Sequence, residues 1–370
     1  MLCFMGMRES RAAARRPLAA LLPLAVMAVA LASCGHGRPP AALAPARASS
    51  SATVPSPGGR HPATTRRTGA APGAGQRTGG PLPAPAALAP FGSPTAAGEG
   101  TWAPAGRAVG GVRVVYQTTL VPPGGTYPAG IAWMDAHLLA ARLYSGSKSP
   151  GGGPYRYTAP IQPAQAATLV AAFNGGFLMN AARGGYYTQG RTIDPLRRGA
   201  ASLVIYADGS VDVGAWGRDV RMAGNVVSVR QNLVPLVASG RPTPQASSNW
   251  QAWGSTCGAT SCAATVPGIE HQWRSGLGIT AAGALVYAAG PALDPLQLAQ
   301  LLVRAGVVRG MQLDINPDWP DFVSYDPPAG ALAAPSNGRK LLASTVQGPA
   351  TFFAAWWARD FVTMSARPAR

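Results

Sequence analysis

Trp273-Arg274-Ser275-Gly276-Leu277-Gly278-Ile279-Thr280, a turn at Ala282-Gly283, Leu285-Val286-Tyr287-Ala288, a capped helix and then Val307–Ile315 make up the stretch that decides the fold. The first and second runs are β-rich segments about a short turn, which predicts a hairpin. Asp294 stands where a helix N-cap belongs, Pro295 in the first turn and Gly306 just past the end, each suited to its place by backbone preference. Leu296, Leu298, Leu301, Leu302 and Ala305 give that helix an apolar face. The segment after it reads as a strand buried on both faces, with Asp314 at its C-terminal tip.

Outward from this stretch the signals are similar. Ala201–Tyr206, Asp208-Gly209 and residues 211–216 form a second hairpin, which makes Asp208 a turn residue. Residues 112–120 and 138–144 read as strands joined through Pro122-Pro123-Gly124-Gly125, and residues 163–172 have helical composition, with proline near the start. Hairpins mixed with a few helices predict an α+β fold: a mixed, largely antiparallel sheet with packed helices in a single domain over 105–370.

The N-terminal part has a different character. Arg8, Arg11, Arg15 and Arg16 precede the apolar run 18–31, which is shorter than the roughly 20 residues of a relaxed membrane span. Residues 1–34 therefore read as a signal peptide. Leu31-Ala32-Ser33-Cys34 resembles a bacterial lipobox, with Cys34 the lipidated residue; the alternative is an ordinary secretory signal with an incidental cysteine. Residues 35–104 are Pro/Ala/Gly-rich, and such a chain is expected to be a disordered tether, on the order of 45 Å long as a flexible coil. The expected location is exported, lipid-anchored at the outer face of the cytoplasmic membrane or in the cell wall, with the N-terminal lipid as the only membrane contact.

The formal charge is +17. Ten arginines and two glutamates fall before residue 101, leaving 21 basic and 12 acidic residues for the folded part. A basic exported domain concentrates polyanions such as phosphorylated glycans, although basic residues kept for solubility alone would look the same. Nucleic acid is not expected as a partner, because no recognition motif accompanies the charge. Outside the cytoplasm, Cys257 and Cys262, close together in a Gly/Ser-rich loop, read as a local disulfide.

Three motifs carry the candidate chemistry: Asn174-Gly175-Gly176-Phe177, Arg274-Ser275-Gly276-Leu277-Gly278 and Leu313-Asp314-Ile315-Asn316. Each sets a polar residue beside glycine or at the end of an apolar run, where a backbone can approach a ligand closely. In this order they resemble the phosphodiester glycosidase family, which includes the enzyme that uncovers mannose 6-phosphate by removing N-acetylglucosamine from a phosphodiester. The resemblance implies an α+β domain and hydrolysis of a sugar-1-phosphodiester in an envelope glycan or glycopolymer. The family's Leu-Asp-Gly-Gly-Gly-Ser segment falls on Leu313 and Asp314, but here Ile315, Asn316 and Pro317 replace the glycines.

Cleaving such a bond requires a carboxylate near the anomeric carbon and donors for the phosphate. Asp314 is the first catalytic candidate and Glu270, the only glutamate of the folded part, the second. Arg274 would grip phosphate through its planar guanidinium, or brace Asp314. Asn174, Gly175, Gly176, Asn316, Asp318 and Trp319 complete the expected substrate-binding set, with Asn174 equally able to serve as a structural amide in a tight turn. No cofactor or metal is expected: Asp314, Asn316 and Asp318 would suit calcium by charge, but the spacing lacks the glycine and distal glutamate of an EF-hand loop. The alternative to an enzyme is a non-catalytic glycan-binding or exopolysaccharide-assembly lipoprotein.

Overall fold

The computed structural model describes residues 80–93, 96–254, 270–315 and 317–368. The expected signal peptide, Cys34, Asn316 and the Cys257–Cys262 disulfide lie outside them. The described chain is largely β, with three sheets whose strands pair antiparallel throughout. The eight-stranded sheet runs Ala103–Ala105, Val115–Leu120, Ala129–Met134, Leu285–Leu293, Gln272–Thr280, Val307–Ile315, Pro235–Ala238, Arg241–Pro242. Arg191–Asp194, Tyr186–Thr188, Val226–Gln231, Ala201–Tyr206 and Val211–Ala215 form the second sheet, and Gly338–Lys340, Phe322–Tyr325, Leu169–Asn174, Phe361–Ala366 and Leu139–Tyr144 the third.

The centre of the large sheet is covered on both faces, and the alternation of side chains shows it. Leu285, Tyr287 and Ala289 join one apolar cluster with Phe173, Leu203 and Ile205 of the other sheets. Val286 and Ala288 join another, built on Leu298, Leu301 and Leu302 of the helix Pro295–Arg304. That helix has the expected cap: Gln297 N–H donates to Asp294 Oδ1 at 2.6 Å and the Gln297 side chain accepts from Asp294 N–H. Gly276 and Gly278 let it and the neighbouring strand come close. A Cβ on Gly276 would lie 3.2 Å from both Leu298 and Leu302, and one on Gly278 would lie 2.8 Å from the Arg309 carbonyl. These glycines admit protein, where the sequence reading had them admit a ligand.

Helices contribute less than the α+β expectation held. Only Pro295–Arg304, at ten residues, exceeds five residues among the described helices. The run at 163–172 is helical only over Pro163–Ala166, and Leu169–Asn174 is a strand with all six residues buried. It lies between Phe322–Tyr325 and Phe361–Ala366, and burial on both faces overrides its alanine-rich helical composition. Ala129–Met134, which the sequence reading leaves in the connection between two strands, is a fully buried strand.

Packing also reaches back before residue 105. Leu82, Leu88, Phe91 and Trp102, the few large apolar side chains there, pack against the helix-side cluster. Leu82 N–H donates to Asp135 Oδ2 at 2.8 Å, Leu88 N–H to the Gly100 carbonyl at 2.9 Å, and Arg304 lies 4.1 Å over the Phe91 ring.

Candidate functional site

Asn174 closes its strand on a set of bonds that uses its whole amide. Its Nδ2 donates to the Gly175 carbonyl at 2.8 Å and to Ser275 Oγ at 3.1 Å, while its Oδ1 accepts from Tyr287 Oη at 2.8 Å and Asp321 N–H at 3.1 Å. An amide offers two donors and two acceptor positions, so nothing is left for a ligand. Asn174 ties two sheets together.

Ser275 passes the connection on. Its Oγ accepts from Asp314 N–H at 3.2 Å, so the first and third motifs meet through the second. The pairing of Gln272–Thr280 with Val307–Ile315 slips here: Arg274 faces Ile315 but Gly276 faces Gln312. The third strand thus carries one extra residue, a β-bulge, and bulges re-aim side chains. Leu313 packs in one apolar cluster and Ile315 in the opposite one, and Asp314 turns to the Ser275 side.

The Asp314 carboxylate is buried and paired. Its Oδ2 meets Arg359 Nη2 and its Oδ1 accepts from Ile315 N–H at 2.8 Å. Burial raises its pKa to about 6, with Arg359 the main opposing influence. The Arg359 guanidinium lies 4.6 Å from the half-buried Trp319 ring, and its Nη2 reaches the Gly176 carbonyl at 3.4 Å.

Beneath it Asp360 and Arg230 form a second ion pair. Arg230 Nε donates to Asp360 Oδ2 at 2.7 Å and Nη2 to Oδ1 at 3.2 Å, and Ser149 Oγ adds a bond to Oδ1 at 3.1 Å. Burial would lower the Arg230 pKa, but the Asp360 carboxylate outweighs it and holds it above its ordinary value. The glycines of the first motif seat this pair. A Cβ on Gly175 would lie 2.7 Å from the Asp360 carbonyl, and one on Gly176 2.7 Å from Asn232 Oδ1. Asp321, next to Asn174, is a further buried carboxyl. Burial raises it to about 7, with Lys340 and the Phe322 backbone N–H opposing.

Arg274 is not part of this group. It is on the other face of its strand from Ser275, bonded through Nε to the Leu293 carbonyl at 2.7 Å, through Nη1 to Gln312 Oε1 at 2.8 Å and through Nη2 to the Glu270 carbonyl at 2.7 Å. Burial lowers it to about 10. It braces the helix side of the sheet and grips neither Asp314 nor an open space. Glu270 and His271 are exposed on that same side, His271 3.7 Å from Asp294. Asp318 is exposed and Trp319 sits against Arg359.

Of the expected residues, Asn174, Gly175, Gly176, Asp314 and Trp319 are therefore brought together, while Arg274 and Glu270 are not. Arg359, Asp360, Arg230 and Asp321 complete the group and were missed. Arg359-Asp360 does carry a signal, a charged pair opening the apolar run Phe361-Val362, the mirror image of Asp314 closing one.

No protein-family model matches the chain, and no curated protein does. Among solved structures, the catalytic domain of zebrafish N-acetylglucosamine-1-phosphodiester alpha-N-acetylglucosaminidase, auto-inhibited by its pro-peptide, aligns at 16% identity and TM-score 0.41, over 72% of this chain and 87% of that one. A Synechocystis hypothetical protein aligns at 12% identity and TM-score 0.37, over 72% of this chain and 64% of its own. A protein of Burkholderia pseudomallei aligns at 11% identity and TM-score 0.28, over 64% of this chain and 74% of its own. These are distant likenesses.

Proposed function

We propose that the protein hydrolyses a sugar-1-phosphodiester of an envelope glycan or glycopolymer, with Asp314 as the reacting carboxylate. The observation that carries the reading is the buried Asp314–Arg359 pair, set at a bulge, bordered by the Trp319 ring and joined to Asn174 through Ser275. A carboxyl near pH 6 is mostly ionised at neutral pH and still able to take a proton, which suits a nucleophile or base at an anomeric carbon. Arg359 takes the part first given to Arg274. When a phosphodiester arrives, its guanidinium is shared between phosphate and Asp314, in the planar geometry that favours both. Trp319 offers a ring face to a sugar. Export through residues 1–34 and lipidation at Cys34 would hold this site beside the envelope polymers it acts on.

The second reading is a glycan-binding or assembly lipoprotein without turnover. It is favoured by the complete internal engagement of Asn174 and by Ile315 and Pro317 standing in place of glycines. The test offers the purified full-length protein an aryl sugar-1-phosphodiester beside an Asp314→Asn variant. Release of aryl phosphate by the parent alone supports the hydrolase. Binding by both without release supports the second reading.

A further inference from the structure

Away from Asp314, a cavity of about 540 Å³ opens where Leu139–Tyr144, the turn at Asp208-Gly209 and the C-terminal segment at Arg367 come together. Arg142, Arg156 and Arg367 line it, against one carboxylate, Asp208. That carboxylate is held in its own turn, where Oδ1 accepts from Ser210 N–H at 2.9 Å and Ser210 Oγ at 2.6 Å. Among the described residues neither Arg142 nor Arg156 forms an ion pair.

The two guanidiniums are placed in advance. Both contact the Tyr157 ring, Arg142 at 5.1 Å and Arg156 at 5.4 Å from its centre, so one aromatic side chain positions both guanidiniums. The backbone beneath them is tied on both sides: Ser145 N–H donates to the Tyr157 carbonyl at 3.0 Å and Arg156 N–H to Gln189 Oε1 at 3.0 Å. Three arginines against one carboxylate leave the cavity net positive, and two of them have no ion-pair partner among the described residues, which favours taking up an anion. The volume exceeds what one phosphate fills and is within the range of small-molecule sites, and Ala140, Ala141, Val227 and Pro368 give it an apolar wall.

We infer that this cavity is a second binding site, taking a phosphate carried on a sugar, with Arg142 and Arg156 as its anion grip. The site does not depend on the reaction proposed above. Arg142 pairs with Thr363, away from the Phe361 end of that strand where Asp360 is buried.

The experiment is calorimetric titration of the full-length protein with glucose 1-phosphate, glucose and inorganic phosphate, for the parent and for Arg142→Gln/Arg156→Gln. Both side chains are exposed, so the double variant keeps the parent's circular dichroism and melting temperature. The expected result is that glucose 1-phosphate binds the parent, and that the double variant loses about tenfold or more in affinity, the loss of one or two charge-assisted bonds at a partly exposed site. Equal affinity in the double variant, glucose binding as tightly as its phosphate, or no heat at ~10 mM ligand each overturns the site. Inorganic phosphate binding as tightly as glucose 1-phosphate overturns the sugar part of the assignment. Displacement of the sugar phosphate by an equal concentration of a short oligonucleotide would make nucleic acid the ligand instead.

Discussion

Asp360→Leu removes the only carboxylate that the described structure pairs with Arg230. Both partners are almost wholly shielded from water, at 0% and 2% exposure, and two bonds of 2.7 and 3.2 Å join them. Forming such a pair adds little beyond an apolar replacement, but breaking it strands a charge, at a cost of about 3–5 kcal/mol. Arg230 Nη1 keeps the Gln231 carbonyl at 2.6 Å, and Nη2 the Phe177 carbonyl, so a loss near the lower end, about 3 kcal/mol, is expected. Against a total stability of about 5–15 kcal/mol that is a large fraction. Urea unfolding followed by tryptophan fluorescence reads it as a lower midpoint at unchanged slope. The double variant Arg230→Met/Asp360→Leu removes both charges and is expected to recover most of the loss. A single variant costing under about 1 kcal/mol would refute the reasoning, as would a double variant no more stable than the single.

Asp321→Asn tests the other buried carboxyl. With its pKa raised from 3.8 to about 7, the folded state holds a proton that the unfolded chain releases, so this group's stabilisation is complete below pH 4 and is lost as pH rises through 7. The gap is worth on the order of 4 kcal/mol above pH 8, and the variant is expected to melt higher than the parent at pH 8.5 and equally at pH 4; a parallel pair of melting curves would contradict this. Gly278→Ala brings a Cβ to 2.8 Å from the Arg309 carbonyl and closer still to Val307, and is expected to cost about 1–3 kcal/mol in chemical unfolding. Asp294→Ala loses the capping box and is expected to lower stability by about 1 kcal/mol by the same measurement, with the β-sheet circular dichroism unchanged.

Local chemistry was the legible part of this chain. The turn at Asp208-Gly209, with Gly209 at φ 77°, and the Asp294-Pro295 helix start are decided by neighbours in sequence, and they stand where residue preferences put them. Residues 169–172 were misread because alanines suit a helix in isolation, and only the place of Leu169–Asn174 between two strands makes them β. Arg274 and Asp314 were expected to converge. Which face each side chain takes depends on a one-residue slip between two strands, and no local pattern records that slip. Arg359 replaces Arg274 from 45 residues beyond Asp314 in the chain, a pairing set by the third sheet folding against the first. The glycines were rightly read as points of close approach, yet what approaches them is Asp360, Asn232 and the helix.

The central claim is that Asp314 performs chemistry and does more than anchor Arg359. Its most direct measurement is the rate at which purified parent and Asp314→Asn proteins, matched for folded fraction, release sugar from a sugar-1-phosphodiester at pH 7. The account predicts measurable turnover by the parent and a fall of at least about 100-fold in the variant. Equal rates in the two proteins, or no release by a folded parent that binds the substrate, would contradict it.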